Sequence, residues 1–86
     1  MPSIEQVTYE VIGIRNSSDQ LSQMIASASY GLRSSAQEIA QIVRGSATGQ
    51  DAVSAVNSAA RSLSDAALFM KALSRTCDAC VENLGR

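Results

Sequence analysis

The sequence predicts an all-α protein: an antiparallel two-helix hairpin that pairs into a four-helix bundle. Three observations carry this. Apolar residues recur at spacings of three and four along almost the whole chain. The only glycine- and hydroxyl-rich break, Arg44-Gly45-Ser46-Ala47-Thr48-Gly49, lies at the middle. The only proline is Pro2, where it interrupts neither half. The expected layout is a single domain over residues 1–86: a helix over about 3–44, a turn over about 45–48 and a helix over about 49–84.

In the first half, with Ile4 at heptad position a, the a series is Ile4, Val11, Ser18, Ile25, Leu32 and Ile39. The d series is Val7, Ile14, Leu21, Ala28, Ser35 and Ile42. Nine of these twelve are apolar and larger than Ala or Ser, a heptad sustained well past the length of a chance pattern. Ser3 followed by Gln6 has the capping-box spacing and marks the start. One stretch competes. Val7 to Ile14 is rich in β-branched residues and holds Gly13, so taken alone it reads as a strand. Ser17 and Gln20 would then restart a helix with a second capping box. The heptad phase runs unbroken through this stretch and the chain offers no second strand to pair with it, so continuous helix is expected.

The middle segment supplies the turn, with Val43, Gly45 and Gly49 as its key residues. Thr48 fits an N-cap, Asp51 suits the positive end of the following helix, and Gly85 suits a left-handed stop after it.

The second half repeats the pattern. Val56, Leu63, Met70, Cys77 and Leu84 fall at a; Ala52, Ala59, Ala66, Leu73 and Cys80 fall at d. Every charge from Asp51 to Glu82 falls at b, c or f. Apolar residues spill onto e (Val53, Ala60, Ala67, Val81) and g (Ala55, Phe69), a face wider than one partner helix covers. A partner interface is therefore expected at Val53, Ala60, Ala67, Phe69 and Val81, met by a second copy or a similar small helical protein. Tyr9 and Ile12, off the seam, read either as scattered exposed apolar residues or as a second contact patch.

Composition narrows the function. The chain has 86 residues, net charge −1 and no histidine, which excludes imidazole chemistry and gives no basic stripe for nucleic acid. Cys77 and Cys80 form a C-x-x-C, but no strand precedes it, as a thioredoxin-type site needs, and no second ligand pair completes a zinc site. Both thiols are expected to be buried on the helix seam. The carboxylates, tyrosines and thiols converge at no spacing a reaction needs, so no enzyme, cofactor or metal is expected. No apolar run is long enough to span a membrane, and the N-terminus lacks the pattern of a cleaved signal peptide.

A short two-helix hairpin with a central glycine turn resembles the WXG100 (ESAT-6-like) superfamily. The resemblance covers the whole chain. Val43-Arg44-Gly45 stands where that family has Trp-x-Gly, so the glycine is kept and the tryptophan replaced. The family's Tyr-x-x-x-Asp/Glu export signal has no match, because the second half holds no tyrosine. The chain is thus similar to the Trp-less small helical partners that accompany larger type VII effectors. The resemblance implies a non-enzymatic protein of type VII secretion, exported itself or targeting a larger effector, cytoplasmic before export and then secreted without a cleaved signal. Two other readings remain open: a polymerising needle- or rod-type secretion subunit, and a cytoplasmic coiled-coil adaptor.

Overall fold

A computed structural model describes residues 2–85. It holds two helices, α1 (Ile4–Ile42) and α2 (Ala47–Leu84), packed side by side along their length as an antiparallel hairpin. Their lengths of 39 and 38 residues give a rod of 62 × 19 × 13 Å. No strand occurs among the described residues, and Val7–Ile14 is helical throughout. Ser17 and Gln20 therefore start nothing; they lie inside α1.

The ends are set by side chains that satisfy orphan amides. Ser3 and Gln6 form the expected capping box: the Ser3 hydroxyl accepts from the Gln6 amide at 3.2 Å, and the Gln6 side chain accepts from the Ser3 amide at 3.2 Å. The turn is displaced from the expected position. α1 stops at Ile42, with Val43 as C-cap, because Gly45 takes φ +79°, where a side chain would be strained. α2 begins at Ala47, not residue 49, because Ser46 rather than Thr48 is the N-cap: its hydroxyl accepts from the Gly49 amide at 3.1 Å. Asp51 accordingly falls beyond the first turn of α2, which carries no acid. Gly85 caps α2 at φ −77°, in the right-handed region, so it does not make the expected left-handed stop.

The seam also differs from expectation. Position a faces the other helix as predicted, but its alternating partner is e, not d. On α1 the buried residues are Ser18, Ser22, Ser29 and Ala36; on α2 they are Gly49, Ala60, Ala67, Ser74 and Cys77. Each lies at a or e. The d residues Ile14 and Leu21 remain 50% and 45% exposed, and Ile42 82%. The cause is size. The e positions carry Ser22, Ser29 and Ala36 on one helix and Ala60, Ala67 and Ser74 on the other, small enough for two backbones to approach closely, which a row of Ile and Leu would prevent.

Hydroxyls then bridge the close seam. Ser22 donates to the Ala67 carbonyl at 3.1 Å and Ser29 to the Ala60 carbonyl at 2.7 Å. With the Ser29 proton so engaged, Ser64 must donate to Ser29 across their 2.7 Å contact. Near the free end Arg15 pairs with Asp78 at 3.0 Å, an exposed bridge worth about 0.2–1 kcal/mol. These links fix which residues stand level: 15 with 78, 22 with 67, 29 with 60 to 64. At the turn, Gly49 lies so close to the Val43 side chain that a Cβ there would collide with it.

Glycine substitutions test this packing. Gly49→Ala should lower stability by about 1–3 kcal/mol, the usual cost of overpacking. Gly13→Ala, in a helix interior with open space around it, should raise it by about 1 kcal/mol. Urea denaturation followed by circular dichroism reads both; equal effects would contradict the close approach at the turn.

Candidate functional site

The a/e seam divides the rest of the hairpin into two faces. In an antiparallel pair the d sides of both helices lie on the same flank of the seam, with g beyond them. Ile14, Ser17 and Leu21 of α1 accordingly share one open groove with Met70 and Leu73 of α2. The opposite flank carries b and f. There Ser22, Ala26, Ser64, Leu68 and Lys71 line a second shallow groove, and Arg33 reaches Ser64.

The two faces differ in chemistry. On α2 the d and g positions from Ala52 to Asn83 hold no charge at all. On α1 they are uncharged from Ile14 to Ser35, with Glu10 and Glu38 just beyond at either end. Large apolar side chains stand in water on this face: Met24 is 63% exposed and Phe69 67%. The b/f flank instead gathers Asp19, Arg33, Arg61, Lys71, Arg75 and Asp78. The two faces thus differ in charge, although Tyr9, Tyr30 and Leu68 also stand exposed at f on the charged flank.

The expected partner interface is largely reassigned. Ala60 and Ala67 are buried by α1 of the same chain, Ala60 completely, and Val53 and Val81 are half-buried at e positions of the same seam. Only Phe69 of that set lies on the open face. Ile14, Leu21 and Leu73 at d, which the heptad places in the core, line the open groove instead. The signal that would have shown this is the seven-residue recurrence of small residues at e on both helices, which identifies the closer seam. The second expected patch is divided too: Tyr9 is 81% exposed, whereas Ile12 is half-buried.

The cysteines are also separated. Cys77, at a, is buried; Cys80, at d, is exposed, against the expectation that both would be shielded. Three residues along a helix is just under one turn, enough to carry Cys80 round onto the apolar face. Among the described residues, no group of three or more His, Cys, Asp or Glu side chains could hold a metal ion, and no helix is long and apolar enough to cross a membrane. The chain matches no family model, no curated protein and no solved structure.

Thiol labelling separates the two cysteines. In dilute native protein a maleimide should modify Cys80 within minutes and Cys77 only as the hairpin unfolds, read as one added mass before denaturant and two after. Rapid double labelling of the folded chain would contradict the seam assignment.

Proposed function

We propose that this chain is a non-enzymatic helical hairpin that acts by association, closing its apolar face against another helical hairpin to form a four-helix bundle. The observation that supports this is surface. The hairpin exposes 6352 Å² at 9.0 kDa, whereas a folded monomer of that mass exposes roughly 4,900 Å². The surplus of about 1,500 Å² is nearly twice the ~800 Å² that each partner buries in a standard protein interface. Nor does the lone hairpin have a conventional core: among the described residues no large side chain is fully buried.

On the resemblance to ESAT-6-like proteins, the biological setting of this association is type VII secretion. The hairpin is there exported itself or serves as targeting partner for a larger effector, being cytoplasmic before export and secreted without a cleaved signal. The hairpin shape, the uncharged face and the central glycine turn support that reading. The replaced tryptophan and the missing tyrosine signal favour the targeting-partner role over independent export.

Two measurements test the proposal. By light scattering across concentration, the parent chain, alone or mixed with the products of neighbouring genes, should form a complex of fixed size. Phe69→Glu or Leu21→Glu should weaken that complex by roughly 100-fold or more, because a buried charge without a partner costs about 3 kcal/mol or more. Leu68→Glu, on the opposite flank, should leave it intact. A series that grows without limit would point to a filament subunit instead. In the native host, Phe69→Glu should also reduce the effector found outside the cell. A normal complex with unchanged effector delivery after deletion of the chain would remove the secretion role while leaving association standing.

A further inference from the structure

The charged flank is not evenly charged along its length. On α1 the b and f positions from Gln23 to Arg44 hold Arg33 and Arg44 and no acid; on α2 those from Gln50 to Arg75 hold Arg61, Lys71 and Arg75 and no acid. A chain of net charge −1 thus places five of its seven basic residues on this stretch. The acids lie elsewhere. Glu5, Asp19, Asp78 and Glu82 gather toward the free end of the flank, Asp51 and Asp65 fall at c, facing away from the other helix, and Glu10 and Glu38 fall at g.

Two hollows line up along this basic stretch. One lies between Ala26 of α1 and Ala67, Leu68 and Lys71 of α2. The other runs from Arg33 to Arg44 at the turn, floored by Ala36, Ala40 and Val53, with Gln37, Gln50 and Asn57 at its edges. Arg33 crosses between them, its guanidinium 3.5 Å from the Ser64 hydroxyl. Together they make a groove whose rise from Ala26 to Arg44 is about 27 Å. Among the described residues, Arg33, Arg44, Arg61 and Lys71 have no carboxylate within ion-pair distance. Leu68 and Tyr30 stand on opposite banks, 66% and 77% exposed.

We propose that this groove is a second docking site, taken by an acidic amphipathic helix of another protein, one with a narrow apolar stripe edged by Asp and Glu. It is separate from the association through the uncharged face. Charge and shape together name the occupant. Each bank carries two cations, Arg33 and Arg44 on α1, Arg61 and Lys71 on α2. The members of each pair stand ten or eleven residues apart, about 15–17 Å along the rod. Eleven residues are almost a whole number of helical turns, so a helix with acids at that spacing on each edge meets all four. The alanine floor lets its backbone come close, and its apolar stripe covers Leu68. Nucleic acid fits less well: its phosphates follow one another far more closely than these cations do, and an apolar floor gives them nothing. A membrane surface calls for a projecting apolar face, and this one is concave.

Binding by fluorescence anisotropy tests the site. The probe is a dye-labelled synthetic peptide of roughly 20 residues, Ala and Leu along one stripe and Glu along both edges, long enough to form a helix. A second peptide has Gln in place of every Glu. At low salt the acidic peptide should bind at least tenfold more tightly than the Gln peptide, and added salt should close that gap. Arg33→Gln combined with Arg61→Gln should weaken acidic-peptide binding roughly tenfold. Leu68→Glu should weaken it further, by setting a like charge against the peptide in the groove. Phe69→Glu, on the uncharged face, should bind as the parent does. Circular dichroism checks that each variant is folded. No saturable binding, equal binding of the two peptides, or full binding by the Arg33/Arg61 variant would overturn the site. Loss of binding in Phe69→Glu would place the peptide on the uncharged face and overturn it equally. Tighter binding of a single-stranded oligodeoxynucleotide or of phosphatidylglycerol vesicles than of the acidic peptide would overturn the helix as occupant.

Discussion

The small residues at e hold this structure together and also limit it. Ser22, Ser29 and Ala36 face Ala60, Ala67 and Ser74, and the two backbones close to a distance at which hydroxyls of one helix reach carbonyls of the other. Everything else follows from that approach. Once the seam is drawn at a and e, the d residues rotate to its flank, the charges rotate to the other, and the hairpin becomes two-faced. A seam of serine and alanine buries little apolar area per residue, so the lone hairpin gains little of the roughly 25 cal/mol per Å² that larger side chains would supply. The bulky residues that would build a core are displaced to the outside by the same geometry.

The hairpin itself was legible in the sequence; its rotational setting was not. Two long heptad arrays, a single central break and the Ser3–Gln6 pair were enough to place both helices, including Val7–Ile14, where heptad phase outweighed β-branched composition. Heptad counting does not show the setting because it weighs large apolar residues and gives a serine no weight at the seam. That is sound for a lone serine and fails when serine recurs every seven residues opposite alanine. Its hydroxyl can then be paid for by a carbonyl across the seam, and its small volume is worth more than the area of a leucine. The turn was misplaced by two residues for a related reason. Ser46 and Thr48 carry equivalent capping hydroxyls, and what separates them is that Gly49 must lie inside the helix to accommodate Val43. Spacing along the chain does not contain that contact.

The candidate site was half legible. The heptad marks Phe69 as surplus to one seam, and the structure leaves it on the open face. The heptad points Val53, Ala60, Ala67 and Val81 at a second chain because a and d read as the seam from sequence, whereas the structure closes a and e. Cys80 shows the same error at one residue. At d it was expected to be shielded with Cys77, and it stands instead on the open face.

The two surfaces of the hairpin divide the work of specification. Hydrogen bonds are directional, so the Ser22 and Ser29 bridges set the level at which α1 and α2 meet: a shift of one residue would carry both hydroxyls away from their carbonyls. The outer face carries no charge from Ile14 to Ser35 or from Ala52 to Asn83, and only short polar side chains, Ser17, Ser35, Ser62, Thr76 and Asn83, to do the same for a partner. Apolar contact alone is non-directional and would allow a partner to slide or reverse. On such a face, shape must do much of the selecting. The uneven placement of large side chains, with Leu21, Met24 and Phe69 near the middle and Ile42 at the turn, is a feature of shape. A uniform stripe of alanine and leucine would bury comparable area and distinguish neither direction. An uncharged face can therefore still be a specific one, with orientation carried by side-chain volume where the inner seam carries it by hydrogen bonds.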